Sequence, residues 1–366
     1  MDFAFSEEQE MLREQARSFM TSKFGPDRVV ELAESDDPFD AAAFKEMAEL
    51  GWIGLSVPEE SGGAGFGFLE EAVLFEELGK ALYPGPFFST VGLALPALVK
   101  DEEALGRVIS GEAAATLAVA EPGGARSLGD LEGLGTKAEG SNGSWSLTGE
   151  KILVPDIGSA DLVVVVAAAS DGPALFLVNR DDAKHSVGST VDSTRRLGTL
   201  TLSGTPAKLL AEGDEARSLI DRIRLRALAA LALEAVGVAQ AALDLALTHA
   251  KERKQFDKPI GVYQAVSHQV ADTYVETELA RSLAYWAAWC VAESDDQAPV
   301  ATAAAKAMAS EAAVTAAEKS IQVHGGIGFT WEHILHRYYK RAEWIDAFEG
   351  TASGQRKQIA ASILDS

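Results

Sequence analysis

At 366 residues the chain is too long for one ordinary hydrophobic core, and two or three domains are expected from size alone. Apolar residues make up 47% and charged residues 24%, the balance of a folded soluble protein, and no run of about eighteen apolar residues points to a membrane span. The formal charge of −23 repels polyanions at long range, which argues against nucleic acid as a partner; a phosphate-bearing ligand would need a local exception from helix amino termini or a few placed arginines.

The chain opens with MDFAFSEEQE, acidic where a signal peptide would be basic and then apolar, so a cytoplasmic protein is expected. Ser6-Glu7-Glu8-Gln9 reads as a capping box, with Leu12, Ala16, Phe19 and Met20 at helical spacing behind it. A proline-marked break at Ser35 to Pro38 follows. Helical period resumes from Phe44 to Leu50, and Pro58 to Gly65 is a loop. Further helices are expected from Leu69 to Leu82 and from Phe87 to Val99, which makes residues 1–113 an all-helical domain.

From Ala114 the pattern changes to short runs of β-formers, among them Thr116 to Ala120, Ser144 to Leu147 and Leu162 to Ala167. Gly123-Gly124, Asn142-Gly143, Asp171-Gly172-Pro173 and Ser203-Gly204 punctuate them. Residues 114–212 therefore read as a small β-barrel or sandwich. Helical period then dominates over about Asp214 to Lys254, Gln264 to Glu293 and Pro299 to Val323. With a last helix from about Gly354 to Leu364, residues 213–366 suffice for a four-helix bundle. Cys290, the one cysteine, lies in WAAWCVA as a core residue; it rules out an internal disulfide and a cysteine-based zinc site and fits a reducing compartment.

Chemistry concentrates in two stretches. Arg253-Lys254-Gln255-Phe256-Asp257-Lys258-Pro259-Ile260-Gly261 joins the first long helix to the second, which starts at Gln264; on its own it reads as cations capping a helix dipole. The other stretch is Lys319 to Gln355. It breaks at Gly325-Gly326 and Gly328, where a backbone without Cβ can turn or approach a ligand, and reaches Phe348-Glu349-Gly350-Thr351. From the residues alone, Glu349 is either a base or a glutamate stabilised at a helix amino terminus. The glycine cluster follows a helix and not a strand, so it is no dinucleotide fingerprint. His333 and His336 share a helical face without an acidic partner at ligand spacing, and no metal site is expected.

The run Ile321-Gln322-Val323-His324-Gly325-Gly326-Ile327-Gly328-Phe329, with Phe348-Glu349-Gly350-Thr351 beyond it, resembles the carboxyl-terminal signature of the acyl-CoA dehydrogenases. GWIGLSVPEESGGAGFG, Ala120-Glu121-Pro122-Gly123 and Leu147-Thr148-Gly149-Glu150-Lys151 extend the resemblance over nearly the whole chain. It implies FAD as cofactor and an acyl-CoA thioester as substrate. It also implies Glu349 as the base that takes the α-proton while hydride passes from the β-carbon to the flavin. Arg253, Gln255, Phe256 and Gln264 match the family's pattern at the FAD pyrophosphate and flavin side of a neighbouring subunit; Gln322, Gly325 and Gly326 match its adenosine end, and Thr351 joins the cofactor-binding set. An electron-transferring flavoprotein as acceptor and a tetramer, homomeric or with a related subunit, follow from the same likeness.

Five positions depart from the family. Ala120 stands where a threonine is usual, Arg126 where a serine is common, Leu153 and Pro155 where an aromatic and a threonine are, and Asp257 where a glycine is. Three readings result: a self-sufficient dehydrogenase, a subunit lending half a flavin site to a different chain, and a helical scaffold without chemistry.

Overall fold

The amino-terminal capping box forms. Gln9 N donates to Ser6 Oγ at 3.1 Å, and Ser6 N donates to Gln9 Oε1 at 3.0 Å, so helix α1 (Glu7–Lys23) starts where the spacing predicts. The structure is a computed structural model that describes residues 5–35, 39–141 and 143–364; the expected break at Ser35 to Pro38 lies, apart from Ser35, outside them. Helices α2 (Pro26–Glu34), α3 (Ala41–Glu49), α4 (Phe68–Lys80), α5 (Leu95–Leu98) and α6 (Glu102–Ile109) follow, with no strand among the described residues before Ala115. Packing divides the chain into two compact units, Met1–Glu31 with Phe68–Tyr83 and Leu228–Ser366, and Leu32–Gly67 with Pro84–Ala227.

In the second unit the segment expected as an ordinary helix from Phe87 to Val99 is instead a π-helix, Phe88–Ala94, that runs into α5. Its side chains show why the wider turn persists. Thr90 Oγ1 donates to Ala115 O at 2.9 Å and accepts from Ala115 N at 3.1 Å, while Ser89 Oγ donates to Asp156 Oδ2 at 2.7 Å. Such turns are rare and concentrate at functional sites.

Strands β1 (Ala115–Ala118), β2 (Lys137–Ser141), β3 (Ser144–Pro155), β4 (Leu162–Ala169), β5 (Gly172–Asn179), β6 (Lys184–Val187) and β7 (Leu197–Ala211) build one sheet. Pairing runs β4-β2-β3-β7-β5 and returns from β5 to β4, so the sheet closes into a barrel, which removes edges a sandwich would leave. Val163, Val165, Ala167, Phe176, Val178, Leu200 and Leu202 fill its core. The expected turn at Asn142-Gly143 falls half outside the described residues; Gly143 itself takes φ 88°.

The carboxyl-terminal part contains α7 (Gly213–Glu252), the short pair β8 (Lys254–Gln255) and β9 (Lys258–Pro259), α8 (Gln264–Ala292), α9 (Ala298–His324), α10 (Leu335–Ala347) and α11 (Ala352–Leu364). Five helices stand where four were expected, because the basic, aromatic turns after Phe329 form α10. The alanine-rich α9 is central and packs against α8, α10 and α11. Small side chains also bring α4 onto α7: a Cβ on Gly237 would lie 2.1 Å from Glu76 O, and one on Gly79 would lie 2.2 Å from Glu234 O. One expectation needs correction. Helix α7 is long and apolar enough to cross a bilayer, but 83% of its most apolar window is buried in the protein, as a core helix requires.

Candidate functional site

Helix α10 ends with Phe348 N donating to Trp344 O at 3.0 Å and the two rings stacked at 4.7 Å. Glu349 (φ 57°) and Gly350 (φ 97°) then turn the chain through two successive left-handed residues. For a glutamate this backbone costs on the order of 1 kcal/mol and persists only where the surroundings impose it. Here they do. Gln355 Nε2 donates to Glu349 O at 2.8 Å and to Gly350 O at 3.4 Å, and Lys306 Nζ donates to Asp346 O and Gly350 O, each at 3.2 Å.

Glu349 is 8% exposed, yet α11 begins only at Ala352. Its first turn is served by others: Ala352 N donates to Asp346 Oδ1 at 2.9 Å and Gly354 N to Thr351 Oγ1 at 3.3 Å. A helix-terminal role for Glu349 is therefore already filled by Asp346 and Thr351, and a buried, backbone-locked carboxylate remains. Lys306, fully buried on α9, is a nearby cation. Burial pushes its ammonium down to about 8, against the opposing pull of Asp346 and Glu349.

The remaining predicted residues gather at the far end of α9. Arg253, Gln255, Phe256 and Gln264 are exposed on the α7–α8 connection, and Gln322, Gly325 and Gly326 are exposed where α9 ends. Stacking of His249 on His324 at 4.3 Å joins those two helix ends, and His333 sits 4.7 Å from His324. Phe256 (φ 51°, 87% exposed) and Asp257 (φ 60°) make a left-handed corner, the conformation for which glycine would be natural. A Cβ on Gly325 or Gly326 would meet nothing within 4 Å, so both present open backbone. Glu349 and Thr351 are not part of this cluster. Lys306, beside their turn, lies eighteen residues before His324 on α9, about 27 Å at 1.5 Å per residue.

In the barrel unit a bulge between Lys151 and Val154 extrudes Leu153, which is 55% exposed with φ 53°. Ala120 and Pro155 are buried, and Ala120 O accepts from Ile152 N at 2.9 Å. Below them Lys151 Nζ donates to Glu121 Oε1 at 2.6 Å, and Glu121 also accepts from Gly135 N and Thr136 N. Taken unit by unit, the exposed guanidinium fork of Arg253 suits a diphosphate and the open backbone at Gly325 and Gly326 suits close approach by a nucleotide, while in the barrel unit the extruded Leu153 offers an apolar face.

Sequence reasoning missed Lys306, Gln355 and the buried pair Arg341–Glu234, whose Nη1–Oε1 distance is 2.5 Å. One signal was legible. Lys306 is a lone charge in AAAKAMAS, a run otherwise made to pack. Among the described residues no cluster of three or more metal-ligating side chains occurs.

Residues 6–101 match the model of the acyl-CoA dehydrogenase amino-terminal domain and residues 226–364 that of its carboxyl-terminal domain. The acyl-CoA dehydrogenase IpdE2 of Mycobacterium tuberculosis is 35% identical over 338 residues, covering 92% of this chain and 91% of that protein. A solved steroid ACAD, Tcur3481-Tcur3483, superposes with a TM-score of 0.86 at 32% identity, covering 98% of each chain. The ChsE4-ChsE5 complex of Mycobacterium tuberculosis does so with a TM-score of 0.90 at 27% identity over 100% of both chains. By these matches along its whole length the chain belongs to the acyl-CoA dehydrogenase family and is an FAD-dependent oxidoreductase.

Proposed function

We propose that the protein converts an acyl-CoA thioester to its trans-2-enoyl-CoA, with Glu349 as the base that removes the α-proton. The observation that carries this is the turn itself: a carboxylate 8% exposed, fixed on a left-handed backbone by bonds from α9 and α11. A base for so weak a carbon acid works best desolvated and pre-aimed, so that little reorganisation accompanies proton transfer. Bound FAD supplies the acceptor for the departing electrons. An electron-transferring flavoprotein as next acceptor, a lipid-catabolic substrate and a cytoplasmic setting belong to the same proposal; the last is consistent with a lone, buried Cys290.

Arg253, Gln255, Phe256, Gln264, Gln322, Gly325 and Gly326 would hold a cofactor, but about 27 Å of α9 separates them from the Glu349 turn. We assign that cluster to the FAD of a neighbouring protomer, and Thr351 to the cofactor beside Glu349, in a dimer or tetramer. A second reading has one specific support. Ala120, Leu153 and Pro155 offer the flavin no side-chain donor, as expected of a subunit that lends its intact cluster to a related chain. Colour decides between them. A homomeric enzyme purifies yellow and is bleached by acyl-CoA without oxygen, whereas the lending subunit purifies colourless and yellows only with its partner.

A further inference from the structure

Lys306 is unusual on α9. It is 0% exposed in a helix whose other buried positions are alanine, serine and threonine, and among the described residues its Nζ bonds to no carboxylate. Its partners are two backbone carbonyls, Asp346 O and Gly350 O, which bracket Phe348 and Glu349. A lysine in a packed core is costly and replaceable by methionine, so a use other than packing is indicated. The tie closes a loop. Asp346 is the last turn of α10, Gly350 the second left-handed residue, and Gln355 Nε2 pulls the Glu349 carbonyl from α11. Loss of the ammonium would remove the tie from α9 and keep the one from α11.

Resting on the reading of Glu349 as the base, we propose that Lys306 is a positioning residue: by holding the carbonyls of Asp346 and Gly350 together, its charged ammonium fixes the aim of the Glu349 carboxylate. The charged groups that bear on it are Asp346 from α10 and Glu349 from the turn, and both favour the ammonium. Burial opposes them and brings its proton loss to about 8. The neutral amine is a weaker donor without attraction for Glu349, so the turn loosens as pH rises through that value.

The test uses the FAD-loaded protein in anaerobic rapid mixing with acyl-CoA, following flavin absorbance across pH 8. Wild type should lose rate on the alkaline side. Lys306→Met should be slower by ~10- to 100-fold at neutral pH with the substrate half-saturation changed less than about twofold. Lys306→Arg, whose guanidinium stays charged, should recover most of the rate and show no alkaline fall. A lysine needed for folding alone would not erase that fall. If the methionine variant does not hold flavin, the wild-type and arginine profiles still decide. An unchanged rate in Lys306→Met, or a wild-type rate flat through pH 9, overturns the assignment. Glu349→Gln run alongside separates the two claims: if it bleaches normally the base reading fails, and if it is inert while Lys306→Met is normal only the lysine's role falls.

Discussion

Gln355 reaches back six residues to donate its side-chain N–H to the carbonyl of Glu349 at 2.8 Å. The bond crosses from α11 to the end of α10 and holds a non-glycine residue at φ 57°. Gln355 is fully buried, and its Oε1 has no hydrogen-bond partner among the described residues. Gln355→Leu removes two hydrogen bonds but also that orphaned oxygen. Global stability should therefore change by only about 1 to 2 kcal/mol, while flavin bleaching slows by ~10-fold or more. Chemical denaturation and rapid mixing on one preparation check both halves.

Arg341 and Glu234 lock α10 to α7 with both side chains buried. Arg341→Met takes away the guanidinium that bonds the buried Glu234 carboxylate and should cost about 3–5 kcal/mol. Replacing both, Arg341→Met with Glu234→Leu, should restore most of the loss. A double variant no more stable than the single one would show that the pair is held by more than its mutual charge, as a denaturant midpoint series would reveal.

Leu153 makes the opposite trade. Its left-handed backbone is strained and its side chain mostly exposed, so Leu153→Gly should leave the fold as stable or slightly more so, by up to about 1 kcal/mol. If the extruded side chain packs against the flavin, the same change weakens FAD retention. Thermal unfolding without cofactor and FAD titration should move in opposite directions.

The stacked imidazoles predict a pH dependence. Burial first, and then neighbouring positive charge, holds His249 and His333 below the usual histidine value; His324 acts on both and Arg253 on His249, while Glu252 pulls His249 the other way. Just below pH 6.5 the unfolded chain thus binds protons that the folded chain refuses, and stability falls as pH drops through that window but not above it. Replacing both residues with glutamine should flatten the acid side of a denaturant-midpoint profile relative to wild type.

Local order was legible where chemistry is local. The Ser6–Gln9 box, the turn glycines and the long apolar faces of α7, α8 and α9 all stand in the sequence as short-range patterns. The π-helix was not, because its cause is remote: Thr90 answers to Ala115 and Ser89 to Asp156. Likewise Glu349 was legible as a residue in a motif, but its restraint comes from Lys306, forty-three positions earlier on a helix whose periodicity shows only packing. Barrel closure, too, depends on β4 pairing with β5 and β2 together, which no alternation within one strand encodes.

The central claim is that Glu349 removes the α-proton, and Glu349→Gln tests it most directly. The neutral amide keeps shape and burial but cannot accept that proton. With FAD bound and oxygen excluded, the variant should retain its yellow spectrum, bind acyl-CoA, and show at least ~1,000-fold slower loss of flavin absorbance than wild type. Bleaching at the wild-type rate would contradict the account.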